Sequence, residues 1–433
     1  MPVQSSDNHP QRFHLSNELH ARPFPELKAP SRAACLAFKV PKDAVHRDPL
    51  KDRQHLNKLL EHYGAPLPAD DIDHYYGTLG RAMLMWERHT EFVTFTVYAD
   101  GLGDKPFDDE LFEIFPAEWI SAAPGKVLSS VLVRIEELES IDTIGQSLDS
   151  QLQGWFVRES LVASRVIDDN AVVCGDFRID QAGHVRFAIF TAPEVSPRRL
   201  GRVLQRLLEI ETYKSMAMLT LPEARRIAAR VSELDNELAR LVLSMSENQE
   251  PESTTLEQLL KIAAEIELLV ATTAFRFGAA GAYEAIVNQR IEVLREQRLY
   301  GKQLLSEFML RRFDPAMRTC RSAQERLMDL SGRAARASNL LRTRVDVATS
   351  AQNQKVLESM NKRAELQLRL QETVEGLSVV AISYYAVNLL AYLLAPAADA
   401  LQISKKILFA GLIIPVVLAV LGMTRRIKKR LSH

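Results

Sequence analysis

The chain has 433 residues, enough for two or three domains, with a net charge of −1 and 25% charged residues, so no global bias points to nucleic acid. Its three cysteines, Cys35, Cys174 and Cys320, form neither a CxxC pair nor a disulfide framework. That excludes the small disulfide-stapled class and reads as a reduced, cytosol-facing protein.

The N-terminal MPVQSSDNHPQRFHLSNELHARPFPELKAP has no apolar run, so no secretory signal peptide is expected. His9, His14 and His20 are spaced by five and six, which fits neither a helix face nor a strand face. They suit packing and capping better than a metal site. NELH starts a short helix capped by Ser16 or Asn17, and ARPFP forces an extended exit.

Up to residue 195 the texture is that of an α/β domain. RAACLAFKV (32–40), EFVTFTVYA (91–99) and KVLSSVLVRI (126–135) read as strands, with helical patterns at 51–63 and 142–160. DDIDH offers Asp70, Asp71, Asp73 and His74. The spacing suits a helix N-terminus with acids against the dipole, and a regulatory divalent ion is the other use of such a group. GDKPFDDELFEIFP is an acidic loop with one short helix. NAVVCGDFRID and HVRFAIFT flank QAG and predict a hairpin, with Cys174 a small buried residue.

A helical domain is predicted over 196–314. Ser196 and Pro197 open its first helix, a second restarts after Pro222, and helices at 253–277 and 279–311 follow. Pro315 then opens a long stalk helix, 315–375, of roughly 90 Å. Leu327, Leu330, Ala334, Ala337 and Leu341 step by three and four along it, as in a coiled coil. The apolar series continues less regularly through Val345, Ala348, Val356, Met360, Leu366, Leu370 and Val374. Residues 311–344 hold nine arginines and three acids, and residues 231–270 hold nine acids and two bases, so these segments are expected to pair with each other rather than with nucleic acid.

Residues 376–398 and 407–424 carry no charge and are each long enough to cross a bilayer. RRIKKR follows in the tail, 425–433, and Arg363 and Arg369 precede, against Lys405 and Lys406 in the short linker. The majority places both termini in the cytoplasm of a two-span protein. Ser378, Ala381, Tyr385, Asn388 and Tyr392, spaced by three and four, lie on one small or polar face of the first span. That face suits a pore lining or an interface between helices, and either use implies a homo-oligomer in the lipid bilayer.

NELHARPF (17–24) with EGLSVVAISYYAV (375–387) resembles a bacterial family of membrane proteins classed as a domain of unknown function, over nearly the whole chain. The order of parts is similar to CorA-type magnesium and cobalt transporters. Those have a cytoplasmic α/β domain, a stalk helix entering the first span, a short loop, a second span and a basic tail. Their Gly-Met-Asn triplet is here Ala386-Val387-Asn388, which shares the asparagine alone. The resemblance implies a bacterial inner-membrane protein and a pentamer, with Mg2+ or a similar divalent cation as substrate or regulator. No cofactor is expected. No GxxxxGK[ST], GxGxxG, HExxH or GxSxG is present, so an enzyme is not expected. The fold class expected is an α+β membrane protein. Its function is expected to be cation passage through the first-span face, with a membrane-anchored scaffold as the alternative.

Overall fold

The computed structural model describes residues 8–9, 11–18, 24–41, 47–69, 72–139, 151–247, 252–400 and 404–431. The first part runs α1 (Arg12–Glu18), β1 (Ser31–Lys39), α2 (Pro49–His62), β2 (His74–Leu79), β3 (Ala82–Arg88), β4 (Phe92–Asp100), α3 (Ala117–Ser121) and β5 (Lys126–Glu137). Described helical residues at 151–155 (α4) precede β6 (Val162–Val166), β7 (Ala171–Ile179) and β8 (Val185–Thr191). Helices α5 (Pro197–Met218), α6 (Thr220–Glu247) and α7 (Glu252–Leu294), strand β9 (Gln297–Arg298), then α8 (Leu305–Arg312), α9 (Asp314–Ala400) and α10 (Lys405–Leu431) complete the order. Two compact units result, one of 1–249 with 257–337, the other of 250–256 with 338–433.

In the first unit nine strands form one sheet in the order β2-β3-β4-β1-β5-β8-β7-β6-β9. Every pair is antiparallel except β5 with β8. The α/β expectation for the N-terminal region is thereby narrowed to α+β: its strands mostly follow one another through hairpins instead of helical crossovers.

β1 is apolar almost throughout because both of its faces are covered. Ala34, Leu36 and Phe38 meet Leu56, Leu59 and Leu60 of α2 and Trp119 of α3 in one core. Cys35, with Thr94 and Thr96 of β4, faces Leu208, Thr212 and Tyr213 of α5. Full burial of side chains such as Phe38, Leu56 and Phe95 contributes about 1.5–3 kcal/mol each. A second core gathers Phe156, Cys174 and Phe190. Gly201 is where α5 comes closest to the N-terminal segment: a methyl group there would collide with the Pro25 carbonyl.

Several sequence expectations need correcting. His74 begins a strand, so DDIDH does not open a helix as far as it is described; Asp70 and Asp71 lie outside the described residues. α6 starts at Thr220, ahead of Pro222, which fits the first turn where its missing N–H costs nothing. α7 runs unbroken through Gly278 and Gly281. Two glycines cost about 1 kcal/mol each in a helix, an amount of the order that burial of the neighbouring Phe277 can offset. The predicted 279–311 helix is instead interrupted after Leu294. Arg295, Tyr300 and Gly301 adopt φ of 49°, 43° and 73°, which no right-handed helix allows. Glu296 makes the break tolerable by accepting from the backbone N–H groups of Leu305 (2.8 Å) and Ser306 (2.6 Å) at the start of α8.

Leu327, Leu330, Ala334, Ala337 and Leu341 are all buried, as their spacing predicts. The two oppositely charged segments are joined by Arg333 and Asp235. Other charges in them choose different partners: Arg321 pairs with Glu284, and Glu265 receives a two-pronged contact from Arg230 at 2.6 and 2.8 Å. Arg333→Gln is expected to cost less than about 1 kcal/mol in a thermal melt, because this pair is partly solvated.

In the second unit α9 and α10 each contain a stretch long and apolar enough to cross a membrane.

Candidate functional site

On α9 the side chains withdrawn from solvent are Ser383, Val387 and Ala391, one every four residues. On α10 Leu408, Leu412, Val416, Val420 and Thr424 repeat the same period, with Val416 buried. Four residues separate the two helices, and matched period-four burial is the pattern expected of two helix faces packed on each other.

The predicted stripe lies beside that face, not on it. Ser378, Ala381, Tyr385 and Tyr392 are exposed, Tyr385 to 67% and Tyr392 to 80%, and Asn388 is half-buried. Three polar side chains on these helices bond to their own backbone, whereas the buried Ser383 Oγ has no hydrogen-bond partner among the described residues. Asn388 Nδ2 donates to the Tyr384 carbonyl at 3.0 Å, Ser378 Oγ to Val374 at 2.8 Å, and Thr424 Oγ1 to Val420 at 3.1 Å. Such bonds reduce the cost of a polar group on an apolar helix. Asn388 Oδ1 accepts no hydrogen bond among the described residues, so its acceptor side is available.

Asp73 and His74 are not brought into a metal site. Asp73 pairs with Arg88 across the β2–β3 ladder, and His74 lies opposite Glu87. Among the described residues no three His, Cys, Asp or Glu side chains converge in a way that could hold a metal ion. Cys35, Cys174 and Cys320 are buried, and burial pushes each thiol up, which opposes thiolate chemistry.

Sequence reasoning missed a buried charge cluster in the first unit. Glu91, just before β4, is 1% exposed. Its carboxylate accepts from Arg276 at 2.7 and 3.0 Å and from the Tyr283 hydroxyl at 2.8 Å, with Lys39 Nζ at 3.6 Å. Arg276 and Tyr283 are two turns apart on α7, hence on one side of it. Arg47 holds Asp52 at 2.6 Å through two nitrogens and reaches the Phe38 and Glu91 carbonyls at 3.3 and 3.4 Å. Burial pushes the Lys39 ammonium down, against the pull of Glu91, and burial followed by the Glu91 charge pushes the Tyr283 hydroxyl up. The cluster fixes α7 to the sheet where the end of β1 meets the start of β4. The only hint in the sequence was an Arg and a Tyr seven residues apart on an otherwise ordinary helix.

No curated protein matches the chain. A family model described as "Protein of unknown function (DUF3422)" matches residues 7–431, which include both motifs that carried the resemblance. The chain therefore belongs to the DUF3422 family.

Proposed function

We propose that this protein is a membrane-anchored oligomer, held in the bilayer by the α9–α10 hairpin with both termini in the cytoplasm, and that copies associate through the Ser378–Tyr392 stripe. One observation carries the reading. The hairpin covers Ser383, Val387 and Ala391, while Tyr385 and Tyr392 next to them stay exposed and Asn388 keeps an unused acceptor. Small and polar residues are what helices use to associate in lipid, where apolar area alone gives no preference for protein over acyl chains. Further along α9, Val356, Met360, Leu366, Leu370 and Val374 are exposed apolar side chains that a second copy would cover. No catalytic role is assigned.

A second reading is passage of a divalent cation such as Mg2+ along the same stripe. It is favoured by α9 continuing without a break from the soluble part into the first apolar stretch, the order found in CorA-type transporters, from which a pentamer would follow. Asn388→Leu separates the two. In liposomes of the full chain, the anchor reading expects no cation flux from the wild type. It also expects association weakened by about 1 kcal/mol, roughly fivefold, in the variant. The transport reading expects wild-type flux, abolished in the variant while the oligomer persists. Flux and assembly both unchanged would remove the stripe from either role.

A further inference from the structure

Arg199, Arg202 and Arg206 step by three and four along the first turns of α5, so their side chains share one side of the helix. Together with Arg295, just past the end of α7, they line a cavity of about 210 Å³ in the first unit. Four arginines thus line one opening, and the single acidic residue on its wall is Asp168.

The internal partners do not balance this charge. Asp168 is taken by Arg199 at 2.7 Å, and Arg206 Nη1 donates to the Val293 carbonyl at 3.3 Å. The guanidinium groups of Arg202 and Arg295 have no hydrogen-bond or ion-pair partner among the described residues. Glu209, the next acid along α5, is bound to Arg290. Burial and the nearby charges of Arg202, Arg290 and Arg295 push Arg206 down, with Glu209 opposing, so the repulsion is not relieved from within. A protein with a net charge of −1 has acids enough to pair these arginines, yet among the described residues only Arg199 has a carboxylate partner at this opening. The N-terminus of α5, at the same end, adds positive potential. Asp168 is carried into position by a turn in which Ile167, Asp168 and Asp169 have φ of 57°, 52° and 68°, a strained conformation for a β-branched residue such as Ile167.

We propose that this cavity binds a phosphate-bearing anion, gripped by Arg202, Arg206 and Arg295, with Arg199 held in place by Asp168. Guanidinium groups suit the chemistry because their forked donors match phosphoryl oxygens two at a time. The cavity is smaller than the roughly 300–1,000 Å³ typical of drug-sized ligands, so it accepts one or two phosphoryl groups, not a whole nucleotide. The anion is either a soluble phosphate compound or the headgroup of an anionic lipid.

Calorimetric titration of the full chain, in nanodiscs of zwitterionic lipid, with inorganic phosphate and with pyrophosphate tests this. Saturable binding is expected, tighter for pyrophosphate and weaker as salt is raised. Arg202→Gln with Arg206→Gln should lower pyrophosphate affinity by at least about tenfold for each guanidinium–phosphoryl bond removed. Arg295→Gln alters only an exposed side chain, so its fold is preserved, and it too should weaken binding about tenfold. If pyrophosphate affinity falls when phosphatidic acid is added to the nanodiscs, headgroups occupy the cavity; if it is unchanged, the ligand is a soluble phosphate compound. Absence of saturable binding for both anions, or wild-type affinity in Arg295→Gln, overturns the proposal.

Discussion

Glu91→Ala should lower the unfolding free energy of the first unit by about 3–5 kcal/mol, the cost of breaking a buried ion cluster by removing one partner. Three cationic side chains, Lys39, Arg47 and Arg276, share this region with two carboxylates, Glu91 and Asp52. Asp52 is fully committed to Arg47. Without Glu91, Arg276 and Lys39 are left close together at the paired ends of β1 and β4 where water has little access, and the Tyr283 hydroxyl loses its acceptor. Glu91→Gln keeps an acceptor oxygen and the shape but not the charge, so its cost should fall between wild type and Glu91→Ala. The readout is specific, because all three tryptophans, Trp86, Trp119 and Trp155, belong to the first unit and report its unfolding. A double-mutant cycle of Glu91→Ala with Arg276→Met should recover part of the loss, since the orphaned cation is the larger part of it. A cost below about 1 kcal/mol would mean that water solvates the cluster and that α7 is held to the sheet by its apolar side chains alone.

Why that cluster escaped the sequence follows from how its members are placed. Residues 39, 47, 52, 91, 276 and 283 come from β1, the approach to α2, α2 itself, the start of β4 and α7. Only Arg47 with Asp52, and Arg276 with Tyr283, share a local window, and nothing local links either pair to Glu91; charge alternation on α7 reads the same whether Arg276 meets water or Glu91. Strands were legible where side chains are β-branched or aromatic on consecutive positions, as in β1, β4, β5 and β8. They were not legible in β2, where HYYGTL includes a glycine and follows an acidic lead, or in β6, where VASRV is short and half polar. β9 is two residues long and exists only because Glu296 and the left-handed Arg295 and Tyr300 end one helix and start another. The helix break predicted near Gly278 followed glycine propensity, which lost to tertiary burial. The apolar ladder from Leu327 to Leu341 was legible because a three-four step has one meaning on a helix. The stripe from Ser378 to Tyr392 was read by the same rule, yet the face the hairpin uses is its neighbour, one residue round the helix. A three-four step identifies a face and is silent on which of two adjacent faces meets the next helix in the chain.

Acid should destabilise the first unit through His55 between pH 6.5 and about 4. The imidazole is 4% exposed, stacked on Trp119 with ring centroids 4.0 Å apart, and its Nε2 has no hydrogen-bond partner. Burial pushes its pKa down to about 4, and the charges of Lys58 and Arg47 push the same way. In the unfolded chain the ring takes a proton near the ordinary 6.5. Above that pH both states hold a neutral ring, so the stability is fully present. As pH falls, the unfolded chain gains a proton that the folded one refuses until about 4, and stability is lost across that interval. The loss is on the order of 3 kcal/mol at the acid end. His55→Phe is the test because a phenyl ring can keep the stack on Trp119, and with Phe38 and Phe95 edge-on to the same site, but cannot take a proton. Unfolding by urea, followed through tryptophan fluorescence at a series of pH values, should give wild type and variant curves that run parallel above 6.5 and diverge below it, the variant losing less. Curves that stay parallel down to pH 4 would show that the folded protein protonates His55 as readily as the unfolded chain does, and that the packing of the ring against Trp119 leaves it open to solvent.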